Sequence, residues 1–172
     1  MKQMLVVISL LSLILLLGSC GGSSESSEFV PRPIPTEYQG MAMAELTSTS
    51  KTPSYNELKD NIDNYEGELV SFEGEVFQNF EGSVANTYQI YVFVTPTETT
   101  ERYRWTDQIL LYHSLERGPE LPAGKEVRVS GIVIGLHVQS LRAITAQGRA
   151  YTSERATPII SVIKAELITN KN

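Results

Sequence analysis

Between Leu69 and Leu167 the sequence is a succession of strand-like runs parted by turn residues, and two long runs carry a glycine at their centre. The first, LVSFEGEVFQNF (Leu69 to Phe80), sets Val70, Phe72 and Val76 on one side and Glu73 and Glu75 on the other, because side chains alternate along a strand. TYQIYVFVT (Thr87 to Thr95) is apolar on both sides, and DQILLYH (Asp107 to His113) follows it. KEVRVSGIVIGL (Lys125 to Leu136) has a central Gly131, as the first run has Gly74, and PIISVIKAEL (Pro158 to Leu167) comes last. Glycine inside a strand marks a bulge or a sharp bend. Five strands that bend in this way suit a small closed barrel, whereas a two-sheet sandwich wants about seven. The predicted class is all-β, a five-stranded barrel.

A short amphipathic helix is expected just before these strands. Ser54 and Glu57 have the spacing of a capping box, Tyr55, Leu58, Ile62 and Tyr65 recur at helical spacing, and Gly67 is a stop signal. The barrel domain is therefore placed at 54–172. Residues 20–53 are rich in Ser, Gly, Pro and Thr with few large apolar residues, which reads as a tether, stiffened at PRPIP. Within it MAMAEL has the makings of a helical turn or a docking segment.

Three of these stretches, YEGELVSFEGEV, LPAGKEVRVSGIVIG and TPIISVIKAELI, together resemble the bacterial OB-fold lipoproteins described as tRNA-anticodon-domain-like, over Ser54 to Ile168. The resemblance implies an OB-like barrel preceded by the helix. The link between the third and fourth strands, SLERGPELPAGK, has prolines and glycines where many OB barrels place a plugging helix, so the helix from Ser54 is expected to cover one barrel end instead. RNA binding does not follow, since function belongs to sites and not to folds.

The N-terminus has its own pattern. Lys2 precedes an apolar run from Met4 to Leu17, about 14 residues against the roughly 20 that span a bilayer, and small residues follow. That is the layout of a cleaved signal peptide. Leu17-Gly18-Ser19-Cys20 resembles the lipobox of bacterial lipoproteins, which implies a signal peptide at 1–19 and a diacylglyceryl, palmitate-type anchor on Cys20. The protein would then be lipid-anchored to the cell membrane on its extracytoplasmic side, since two or more acyl chains hold stably. Gly21 gives no signal for one membrane over another. Cys20 is the only cysteine, so its use as an anchor leaves the mature chain without disulfides, thiolate metal ligands or a cysteine nucleophile.

The formal charge of −6 argues against a general affinity for nucleic acid or anionic lipid, which needs a basic field. His113 and His137 are the only histidines, and neighbouring residues of one strand face opposite ways, so Asp107, His113 and Ser114 do not form a triad. Motifs of nucleotide, zinc-protease and calcium sites are absent. The pairs Glu73/Glu75 and Asp60/Asp63 are read as solvated acids. No catalysis, cofactor or metal is expected.

Binding is the better reading. OB barrels take ligands across their second and third strands and the flanking loops, where this chain has Tyr88, Tyr91 and Phe93, then Tyr103, Arg104 and Trp105. Planar rings there either stack on a ligand or pack the interior. Between the fourth and fifth strands, HVQSLRAITAQGRAYTSERATP carries Arg142, Arg149 and Arg155 and reads as a hairpin arm, either a cationic site or a solubilising loop. The ligand-binding candidates are Tyr91, Tyr103, Trp105, Arg142, Arg149 and Arg155. Beyond the membrane itself, the expected partner is an envelope protein, a glycan or a small anionic ligand. Single-stranded nucleic-acid binding is the alternative, and a metal-dependent hydrolase using Glu73 and Glu75 a more distant one.

Overall fold

The structure, a computed structural model, describes residues 31–96, 105–144 and 150–169, and for Trp105, Tyr151, Ser153 and residues 141–144 and 150 the backbone alone. Five strands carry it: β1 (Leu69–Glu81), β2 (Thr87–Pro96), β3 (Trp105–Ser114), β4 (Glu126–Ile144) and β5 (Ala150–Leu167). They form one mostly antiparallel sheet that closes on itself in the order β1-β2-β3-β5-β4, with a single parallel pairing, β3 to β5. Closure works because β1 changes partner midway. Leu69 to Glu75 pair with β4, and Glu75 to Glu81 pair with β2. Gly74 sits at that handover, where a Cβ would run into the carbonyl oxygen of Phe93 and the Val92 side chain. Gly131 lies at a register shift in β4, as its place in the sequence predicts.

Inward positions of all five strands meet in one core, including Val70, Val76, Ile90, Val92, Ile109, Leu111, Val129, Ile160 and Val162. One end is closed by the helical segment after Pro53. Ser54 Oγ accepts a hydrogen bond from the Glu57 amide at 3.3 Å and so caps α2 (Tyr55–Asp60). The predicted single helix is broken at Asn61, whose ψ of 36° separates α2 from α3 (Ile62–Tyr65). The Glu57 carboxylate, which a full capping box would turn back to the cap, instead accepts from the Tyr65 hydroxyl at 2.7 Å. Leu58 is fully buried in the core, with Tyr55, Ile62 and Tyr65 packed around it. The link from β3 to β4 holds only one short 3-10 turn (Leu115–Arg117), so the covering helix does come from Ser54.

The segment read as tether differs from expectation from Pro31 onward. Here the chain runs down the outside of the sheet through a 3-10 turn (Thr36–Tyr38) and α1 (Met43–Thr49). Leu46 packs onto Leu69, Ile132 and Ile163, with Ile34, Tyr38 and Met41 beside it. Backbone contacts fix the rest. Arg117 donates to the carbonyls of Arg32 and Val162, each at 2.6 Å, the Arg32 amide donates to Ser161 Oγ at 2.8 Å, and Lys164 donates to the Met41 carbonyl at 3.0 Å. Lys51 then pairs in parallel with Val70.

His113 is sealed inside this frame. Its Nε2 donates to the Pro119 carbonyl at 3.0 Å, and its Nδ1 has no hydrogen-bond partner among the described residues. Burial holds its pKa below the usual imidazole value; the hydrogen bond to Pro119 opposes this and the charge of Arg117 adds to it. Above about pH 6.5 the ring is neutral whether the chain is folded or not; below it the unfolded chain takes a proton that the folded one resists. Stability is therefore expected to fall as pH drops below about 6.5, and His113→Gln to flatten that window in urea titrations at stepped pH.

Candidate functional site

Alternation along β2 turns Tyr88, Ile90, Val92 and Val94 toward the core, and Gln89, Tyr91, Phe93 and Thr95 to the outside. On β1 the register slips between Val76 and Gln78. Phe77, on the same side as Glu73 and Glu75, stands outside next to Phe93, ring centroids 4.8 Å apart and tilted by 46°, and the bulge turns Phe80 outside as well, edge-on to Tyr91 at 6.1 Å and 86°. Phe77 and Phe80 are 46% and 44% exposed, large values for phenylalanine on a folded surface.

Cross-strand pairing shows what surrounds these rings. Gln78, Tyr91 and Leu110 stand in one rung, with Ile159 paired to Leu110 in the next strand. Phe80, Gln89, Tyr112 and Ser161 form the neighbouring rung, and Phe93 pairs with Gln108 on the other side. Across β1, Phe93 pairs with Glu75, the one charged residue among them. Leu110, Tyr112 and Ile159 form a small outer cluster under Tyr91 and Ile134. Burial, with Tyr91 beside it, pushes the Tyr112 phenol well above its ordinary pKa, so it stays protonated. The exposed part of the face is thus a strip of aromatic rings edged by the carboxamides of Gln78 and Gln89.

A cleft of about 370 Å³ opens where β1 parts from β2, with Phe72, Val94 and Pro96 on one wall and Thr47 and Pro53 of the docked segment on the other. Arg128 stands at its rim with its charge already engaged. It donates to Glu73 Oε1 from Nε at 2.8 Å and Nη2 at 2.6 Å, and to Glu166 from Nη1 at 2.8 Å. These bonds, the Glu73 one foremost, raise the guanidinium pKa further. Glu73 is therefore an ion-pair partner of Arg128, which accounts for one acid of the Glu73/Glu75 pair. Among the described residues no three His, Cys, Asp or Glu side chains gather as metal ligands.

The chain matches no protein-family model and no curated protein.

Of the residues singled out from sequence, Tyr91 lies on the outer face, while Tyr88 points inward and packs the core. Trp105 begins β3 opposite Pro96. Cys20, Tyr103 and Arg149 lie outside the described residues. The arm is not a separate hairpin: β4 and β5 simply continue past the closed sheet, paired from Leu136 with Pro158 out to Ile144 with Ala150. Arg142 pairs with Thr152 and Arg155 with Gln139, three rungs apart, so the register does not set these two arginines opposite one another. Arg155 is exposed and follows Thr157 and Ile159 on one side of β5, at the edge of the aromatic face. Neither Phe77 nor Phe80 is among the sequence candidates: strict alternation puts Phe77 outside with Glu73 and Glu75 but assigns Phe80 to the inward set. The doubled aromatic run FQNF at the end of the first strand was their available signal.

Proposed function

We propose that this protein is a membrane-anchored, extracytoplasmic lipoprotein whose OB-like barrel binds a neutral glycan on its outer aromatic face without catalysing a reaction. The strand order β1-β2-β3-β5-β4 and the change of partner midway along β1 support the OB reading. Phe77, Phe80, Tyr91 and Phe93 carry the binding reading: four rings on one face, two of them nearly half exposed, with Glu75 beside Phe93 as the charged neighbour in the register. Exposing phenylalanine costs stability, and a face of stacked and edge-on rings matches the C–H faces of sugar rings. Gln78 and Gln89 supply donors and acceptors for hydroxyl groups. A phosphate chain would want cations along this strip, whereas the register sets Gln78, Gln89 and the acidic Glu75 beside its rings.

The test is binding of wild type and the Phe77→Ala/Phe80→Ala variant to a panel of neutral and acidic oligosaccharides and a single-stranded oligonucleotide. Because both rings are exposed, the variant should fold normally. Retention of neutral oligosaccharides is expected to fall by about tenfold per ring removed, the equivalent of roughly 1.4 kcal/mol each. Binding that ignores the substitutions, or oligonucleotide binding that weakens steeply with salt, overturns the glycan reading.

A further inference from the structure

We infer that the barrel is held over the membrane in one orientation, with the β1–β2 turn (residues 82–86) facing the lipid surface and the β4–β5 arm pointing away from it. The inference rests on the proposed anchor at Cys20 and on where the docked segment begins. Pro31 is buried at the pole formed by Val84, Asn86, Ser114 and Arg117. The next residue is gripped from both sides: its amide donates to Ser161 Oγ and its carbonyl accepts from Arg117. The chain beyond it is pinned by Leu46 in its apolar pocket and by the Lys51–Val70 bridge. The entry point of the chain is thereby fixed at one pole. A tether free up to Pro53 would have let the domain tumble.

Strand direction places the arm at the other pole. β3 runs toward Ser114, beside Pro31, and β5 runs parallel to it, with Leu110 to Tyr112 paired to Ile159 to Ser161. The start of β5 at Ala150 is therefore the end remote from Pro31. From Ser161 back to Ala150 the strand covers about 36 Å at 3.3 Å per residue. Val138 on this arm is 56% exposed.

Chain length sets the scale of the gap to the membrane. Ten residues, GGSSESSEFV, separate Cys20 from Pro31. Fully extended, ten residues span at most about 36 Å. The tether therefore holds the turn pole nearer to the bilayer than the arm. At that pole Arg32 is paired with Glu66 at 4.0 Å and Arg117 stands next to Glu116, so among the described residues no unopposed basic patch draws it to the membrane and the tether sets the orientation. The arm and the rim of the aromatic face near Arg155 are left to meet whatever lies beyond the membrane surface.

The experiment uses the mature lipidated protein in phosphatidylcholine vesicles bearing an acceptor dye on a lipid headgroup. Cys20 is consumed by lipid and is the only cysteine, so Ala85→Cys and Thr152→Cys each give one labelling site, at the turn and on the arm. Flotation with the vesicles is measured first. Energy transfer to the membrane is expected to be several-fold higher from position 85 than from position 152. Inserting twenty Gly/Ser residues after Val30 should bring the two values together. Protein that does not float overturns the anchor and this inference with it. Protein that floats with equal or reversed transfer at the two positions overturns the orientation alone.

Discussion

Gly131→Val is expected to remove about 3 kcal/mol or more of stability, seen as a lower urea midpoint with an unchanged urea dependence. Gly131 lies in β4 between two neighbours, opposite Val70 of β1 and Val162 of β5. A Cβ there would sit 2.5 Å from the Ser161 carbonyl oxygen and 2.7 Å from Ile160 Cγ2. One of those contacts is backbone, which cannot turn aside, so β4 and β5 would have to part at the bulge that lets the sheet close. Gly131→Ala should already cost a substantial fraction of this. Gly124→Ala is the contrast: its φ of 76° disfavours any side chain, but nothing lies within 4 Å, so only backbone strain of about 1 kcal/mol is expected. Equal costs at the two positions would mean that crowding at Gly131 is not what the sheet depends on.

Leu58→Ala is expected to cost roughly 3 kcal/mol, within the usual range for deleting a buried leucine side chain. Leu58 is fully buried and closes one end of the sheet from α2, inside the same cluster as Val70, Leu121 and Val129. The loss should therefore appear in global unfolding. Leu46→Ala removes as much apolar surface from a different place, the cluster that holds the docked N-terminal segment against Leu69, Ile132 and Ile163. Its main effect should be local release, read as faster proteolytic cleavage between residues 31 and 53 than in wild type.

The two leucines also mark what the sequence made legible. Leu58 could be placed because a capping serine, helical spacing and a stop glycine agree around it, and the only surprise was the break at Asn61. All five strands were visible as apolar runs between turn residues, though β4 and β5 extend well beyond them, and the mid-run glycines pointed to where the sheet bends. Docking of residues 31–50 was only hinted at by MAMAEL. Its apolar contacts, Met43 and Leu46 with Ile34, Tyr38 and Met41 beside them, follow no regular period, and the rest of the attachment uses main-chain groups of Arg32 and Met41 meeting Arg117, Ser161 and Lys164, bonds that leave no pattern in a sequence.

The candidate site was legible for a similar reason only in part. Tyr91 and Phe93 follow from β2, where alternation runs unbroken. Phe77 follows from alternation with Glu73 and Glu75, but Phe80 depends on the register slip after Val76, which changes which residues face outward and which no periodic pattern encodes. The arm was recognised as two paired strands, but not as the continuation of β4 and β5. Pro158 reads as a strand start, yet it lies within β5 just before the stretch paired to β3, where its missing N–H interrupts no described bond to that strand.

The most direct test of the whole account is the intact mass of the protein recovered from the membranes of the cell that makes it. The expected product is a mature chain that begins at Cys20 and carries a diacylglyceryl group with further acylation, and that leaves the membrane fraction when Cys20 is replaced by Ala. A membrane-recovered chain whose Cys20 is an unmodified thiol, or that retains residues 1–19, would contradict it.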